Sequence, residues 1–150
     1  MGNMSGTKYS KYIITSYKKP EVKKQGWSAT YIPDKEETNI LYIGDDVIKG
    51  AFYVSAGWFW TAMMNRKPDE GASKPHSHPY DEVLALIGSN TDDPHDLGGE
   101  AEITLEGEKH TVNKSCLIYL PAGLEHGPFK QNTITKPIFH FNCGMTGRHT

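Results

Sequence analysis

Apolar and polar positions alternate along most of this chain with a period of two, in short runs separated by turn residues. Extended backbone points successive side chains to opposite faces, so this period predicts strands with one side in a core. The longest run is Val47 to Met64. Phe52, Val54, Ala56, Trp58, Trp60 and Ala62 share one face of it, while Tyr53, Ser55, Gly57, Phe59, Thr61 and Met63 share the other. Gly57, at its middle, marks a bulge or a close packing contact. A second run leads through Glu82, Leu84 and Leu86 on one face and Val83, Ala85 and Ile87 on the other, and closes at Gly88. Apolar on both faces, it reads as a strand buried on both sides.

The weaker runs complete a strand-rich pattern. Tyr12-Ile13-Ile14-Thr15 is β-like within an otherwise polar stretch to Gln25, and is placed to add a strand to a sheet edge. Trp27 to Ile43 alternates weakly, is broken at Pro33-Asp34, and ends at the turn signal Gly44-Asp45-Asp46. Arg66 to Pro75 and Ser89 to Gly99 read as irregular loops. Ala101–Leu105 and Lys109–Val112 flank Glu106-Gly107-Glu108 as a hairpin. Leu117 to Leu120 reads as a buried strand, and Pro137 to Asn142 as the last one. No amphipathic helix of ordinary length is present. Many short strands with turns between them predict an all-β antiparallel barrel or sandwich.

Length and charge narrow the picture. With 150 residues the chain is expected to form one domain: residues 1–25 an extension with an edge strand, 26–145 the barrel, and 146–150 a polar tail. Sixteen basic and 18 acidic residues leave a net charge of −2. The nearest thing to a basic patch, Lys18, Lys19, Lys23 and Lys24, is diluted by Glu21, so nucleic acid is not an expected partner. Cys116 and Cys143 lack the spacing of a zinc knuckle or a disulfide framework, and Cys116 reads as a small core residue. Without a signal core or an apolar span, a reducing cytoplasm is the expected compartment, with no membrane partner.

The candidate chemistry lies in His76, His78 and Glu82, followed far downstream by His126. Positions 76, 78 and 82 share parity and so project from one face of an extended strand. Pro79 removes a backbone donor and marks a bend or edge between them. Imidazole and carboxylate together suit Fe, Mn, Zn, Ni, Co or Cu, whereas Mg and Ca prefer all-oxygen shells. Four such ligands on an octahedral ion leave two adjacent positions for water, O₂ or a chelating substrate. The amidohydrolase barrel also uses His-x-His, but it needs roughly 250 residues.

Two stretches resemble the signatures of the cupin superfamily. The first is Gly71, then His76-Ser77-His78, Glu82 and a closing Gly88. The second is Pro121-Ala122-Gly123-Leu124-Glu125-His126, with Ser115 in place of an opening glycine and Lys130 in the slot of a trailing asparagine. The resemblance runs from about Gly71 to Phe129 and contains all four ligand types. It implies a double-stranded β-helix, a divalent transition metal on His76, His78, Glu82 and His126, and association as a homodimer. Cupins host unrelated functions, so the fold names no reaction.

The expected function is a metal-dependent enzyme on a small polar chelating substrate, with oxygenase chemistry favoured over a redox-neutral lyase, hydrolase or isomerase. A non-catalytic small-molecule-binding barrel is the other alternative. Candidate catalytic residues are His140, Tyr80 and Arg66. His140, between Phe139 and Phe141, faces either the cavity, as a general base or hydrogen-bond donor, or outward. Tyr80 shares nominal parity with the ligands, and core packing is the commoner role for it and for Tyr119. Arg66 could grip an anionic substrate, though a surface ion pair is the commoner role. Glu125, His95, His110 and His149 read as solvent-facing, and Trp58 and Trp60 as barrel walls.

Overall fold

A computed structural model describes residues 7–16, 39–65 and 74–147. The described residues form eight strands: β1 (Asn39–Ile43), β2 (Tyr53–Phe59), β3 (Glu82–Gly88), β4 (Asp96–Leu105), β5 (Glu108–Lys114), β6 (Cys116–Leu120), β7 (His126–Ile134) and β8 (Ile138–Gly144). They pair antiparallel in a five-stranded sheet, β1-β2-β8-β3-β6, and a three-stranded sheet, β5-β4-β7. The all-β, two-sheet architecture is the one expected from the alternating pattern.

The period-two pattern explains which way each strand faces. In β2, Tyr53 and Ser55 are buried inward while Val54 and Ala56 are half-buried on the outer face. Register then aligns inward residues in rows across the sheet. Tyr53 and Glu82 both oppose Gly144, Ser55 and Leu84 oppose Asn142, and Gly57 and Leu86 oppose His140. Away from the candidate ligands the two sheets close on Met63, Leu86, Leu97, Ala101, Ile134 and Ile138. Leu84, Ile103 and Leu120 form a second cluster, and Tyr42, Tyr53 and Tyr80 a third.

Several expectations are corrected. Tyr12 ends a single 3-10 turn, Ser10–Tyr12, and Ile13–Thr15 lie in no strand, so no edge strand forms there. The Val47–Met64 run is strand only over Tyr53–Phe59. Val47 and Ile48 donate to the Gly44 carbonyl and the Asp45 carboxylate accepts from Gly50 N–H, making residues 44–51 a turn. Beyond Phe59 the chain enters a 3-10 turn, Thr61–Asn65, in which Met63 N–H donates to the Trp60 carbonyl.

The loop after Gly88 is shorter than expected, because β4 starts at Asp96 and carries Gly98 (φ 73°) and Gly99 within it. An added Cβ at Gly99 would strike the Thr133 carbonyl of β7, so only glycine allows this close pairing. β6 is an edge strand rather than a buried one: Leu117 is 69% exposed and Tyr119 59%. β3 is buried on its inner face, but Ile87 reaches solvent on the outer one. The hairpin is as expected, with Glu106 (φ 47°) and Gly107 (φ 81°) as a two-residue turn of the kind that matches strand twist. Arg66, Gly71, His149 and the basic cluster Lys18–Lys24 lie outside the described residues.

Candidate metal centre

The two signature segments meet at one mouth of the barrel. His76 and His126 exchange both backbone hydrogen bonds, each 2.9 Å, as an isolated antiparallel bridge between the approach to β3 and the start of β7. Gly123 N–H donates to the His78 carbonyl at 2.9 Å. The Asp81 carboxylate accepts from Ala122 N–H at 2.8 Å and from the Tyr119 hydroxyl, which holds its carboxyl below the usual range. Asp81 thus sews the first segment to the turn of the second. Pro79 interrupts the ladder as expected, yet His78, Tyr80 and Glu82 are all buried, so inward alternation continues through the bend.

The candidate ligand atoms of His76, His78 and His126 lie within 4.8 Å of one another, a cluster that could hold a metal ion. The backbone selects which nitrogen each ring presents. Nδ1 of His76 lies 2.7 Å from the Lys74 carbonyl, Nδ1 of His78 3.2 Å from the Tyr80 carbonyl, and Nδ1 of His126 2.9 Å from the Leu124 carbonyl. A carbonyl only accepts, so each Nδ1 carries the proton and each Nε2 keeps its lone pair. That is the tautomer a metal requires, with the outer hydrogen bond that metal-binding histidines use to fix their rings. Nε2 of His126 is buried with no hydrogen-bond partner among the described residues. Burial, ahead of the neighbouring charges, lowers the proton affinity of His126, so its ring is neutral and its lone pair available.

Glu82, the first residue of β3, lies beside this triad but outside the cluster of mutually close ligand atoms. Its Oε1 lies 3.6 Å from Nε2 of His78 and 3.8 Å from Nε2 of His126, and the side chain is almost wholly buried. A buried carboxylate beside two imidazoles is costly unless charge compensates it. A divalent cation would supply that compensation, and imidazoles with a carboxylate beside them fit a borderline transition metal. Its other oxygen, Oε2, accepts the Tyr53 hydroxyl. Burial first, and then the Glu82 charge, push the Tyr53 phenol far above its usual range, so it stays protonated and donates. The ring of Tyr80 stacks on His78 (centroids 4.1 Å, planes 2° apart) and meets Tyr53 edge-on at 6.0 Å. Tyr80 therefore packs against a candidate ligand, in the core position sequence reasoning had thought commoner.

His140 faces inward. Its ring stacks on Phe59 at 4.7 Å, lies 5.8 Å from Phe129, and its Nδ1 lies 2.9 Å from the Ala85 carbonyl. Burial lowers its proton affinity from 6.5 to about 4, outweighing the Ala85 hydrogen bond and the Glu82 charge, so it is neutral near pH 7. Tyr119 lies on the outer face rather than in the core, with its hydroxyl on Asp81. Glu125, His95 and His110 are exposed as expected, and His110 pairs with Glu108 at 2.6 Å. Trp58 lies on the outer face against Trp60 and Phe139, while Trp60 packs onto the main core. Ser115 explains the missing glycine: its hydroxyl accepts Gly88 N–H and donates to the Pro94 carbonyl. Lys130 points to the outer face, 3.6 Å from Glu102. Among the described residues no helix is long and apolar enough to cross a membrane.

Sequence reasoning missed Tyr53, Asn142 and Asp81. The signal for Tyr53 was its parity with Ser55 and Gly57. Only the cross-strand register, which brings Tyr53 and Glu82 to either side of Gly144, gives that parity meaning.

No family model matches the chain, and no curated protein matches it. Solved structures do. A cupin protein from Bacteroides fragilis is 15% identical with TM-score 0.44, over 89% of this chain and 87% of that one. A Cupin 2 conserved barrel domain protein from Salinispora arenicola is 13% identical with TM-score 0.44, over 85% and 89%. An oxalate oxidase in complex with the substrate analogue glycolate is 14% identical with TM-score 0.44, over 71% of this chain and 50% of that one. At these scores the likeness assigns no activity. The fold stands on the strand order and register above, and the site on its own side chains.

Proposed function

We propose that the protein is a metal-dependent enzyme acting on a small polar substrate that chelates the ion, with oxygenase chemistry favoured. The observation that carries this reading is the outward hydrogen bonding of three histidines. Each Nδ1 is committed to a backbone carbonyl, and the remaining donor atoms gather beside a buried carboxylate. His76, His78, His126 and Glu82 are the residues that would hold the ion. When bound, a divalent transition metal supplies Lewis acidity and, if it is iron, a redox centre that can engage O₂.

Oxygenase chemistry is favoured over a redox-neutral lyase, hydrolase or isomerase because four protein ligands on an octahedral ion would leave two adjacent positions, which suit O₂ beside a chelating substrate. Phe59 and Phe129 beside His140 make an apolar flank.

Protein purified without chelator and analysed for metals should contain close to one transition-metal ion per chain. Oxygen consumption with catechols, β-diketones or flavonoids then tests the reaction class. Metal-free protein that cannot be reloaded removes the enzyme reading. Turnover that continues under strict anaerobiosis removes the oxygenase.

A further inference from the structure

We infer that Tyr53 is a positioning residue that restricts Glu82 to ligation through a single oxygen, keeping a place beside the ion for a bidentate chelator; this rests on the metal reading above. The two carboxylate oxygens of Glu82 have different surroundings. Oε1 faces Nε2 of both His78 and His126, at 3.6 and 3.8 Å, while Oε2 accepts the Tyr53 hydroxyl. An oxygen engaged by a phenol is drawn away from the imidazoles and loses basicity, so the ion takes the other one.

The fold leaves Tyr53 little choice of direction. Its side chain has no exposed surface. The Asn142 side chain also hydrogen-bonds this phenol, and since a carboxylate oxygen only accepts, the phenol's own proton goes to Glu82. Tyr80 closes the edge of the ring. Gly144, opposite both Tyr53 and Glu82, leaves the space the ring fills, since a Cβ there would land on Cε1, Cζ and Oη of Tyr53. Phenol, carboxylate and glycine thus form one row across β2, β8 and β3, and the row ends at the candidate ion.

The test is Tyr53→Phe in the full chain, with cobalt(II) as the metal and acetohydroxamate as the bidentate probe. Freed of the phenol, Glu82 closes on the ion with both oxygens. The visible ligand-field spectrum of cobalt should change, and acetohydroxamate affinity should fall by about tenfold or more, the scale of lost outer hydrogen bonds at metal sites. Asn142→Leu, which removes the bond that orients the phenol, should move both readouts the same way by less, and serves if Tyr53→Phe does not fold. An unchanged spectrum with hydroxamate affinity within about twofold of wild type, in either folded variant, overturns the inference. Wild-type protein that takes up no cobalt is a different result: it overturns the metal reading and this inference with it.

Discussion

Acid sensitivity provides a direct test of where His140 sits. Burial lowers its proton affinity from 6.5 to about 4 in the folded protein. The unfolded chain therefore takes up this proton first as pH falls, and folding stability is lost on acidification from about 6.5 until the folded ring also protonates near 4. Each tenfold difference in proton affinity corresponds to about 1.4 kcal/mol, so the full displacement is worth ~3 kcal/mol. About 2 kcal/mol of it should be lost by pH 5. The perturbation is His140→Asn, which keeps an amide donor for the Ala85 carbonyl and never ionises. It also removes the stack on Phe59, a cost that does not vary with pH. Both proteins are studied free of metal. Urea unfolding between pH 7 and pH 4 should show wild type losing ~3 kcal/mol more than the variant. Parallel stability curves for the two proteins across that window would refute the buried, neutral assignment.

Three further outcomes are expected. His126→Ala should abolish metal retention, measured by elemental analysis, while circular dichroism still reports a folded β-protein, because the ring's loss leaves the His76–His126 backbone bridge intact. Leu86→Ala, at a wholly buried position in the main core, should cost about 2–5 kcal/mol in denaturant unfolding. A loss below about 1 kcal/mol would mean the two sheets are not packed there as described. Gly144→Ala should displace the Tyr53 ring, lowering stability by about 1–3 kcal/mol in denaturant unfolding.

The sequence was most legible where chemistry and turn geometry are local. The hairpin was announced by Gly107 between two alternating runs, because glycine readily takes the positive φ that such a turn requires. His76, His78, Glu82 and His126 were evident as a set because their spacing and residue types resemble two signatures met in order along the chain. Non-local information was missing elsewhere. Leu117 and Tyr119 looked buried because they sit in an apolar run, and nothing local says that β6 is an edge. His140 could have faced either way, since Phe139 and Phe141 are as apolar as the inward Ile138; its pairing with Gly57 and Leu86 decides it. The Val47 run was drawn too long because β-propensity does not register the Asp45 carboxylate gathering residues 44–51 into a turn.

The ligand set straddles the sheets: Glu82 begins a strand of the five-stranded sheet, and His126 begins one of the three-stranded sheet. An ion gripped by both would rivet the two layers at their rim, beside the Leu84, Ile103 and Leu120 cluster that also spans them. Its binding would then add to the cohesion of the whole barrel with the logarithm of ion concentration once that exceeds the dissociation constant. Stripping the ion should unfasten this rim first, with amide exchange quickening at His76 and His126 while the far end, around Leu97 and Ile138, stays shut.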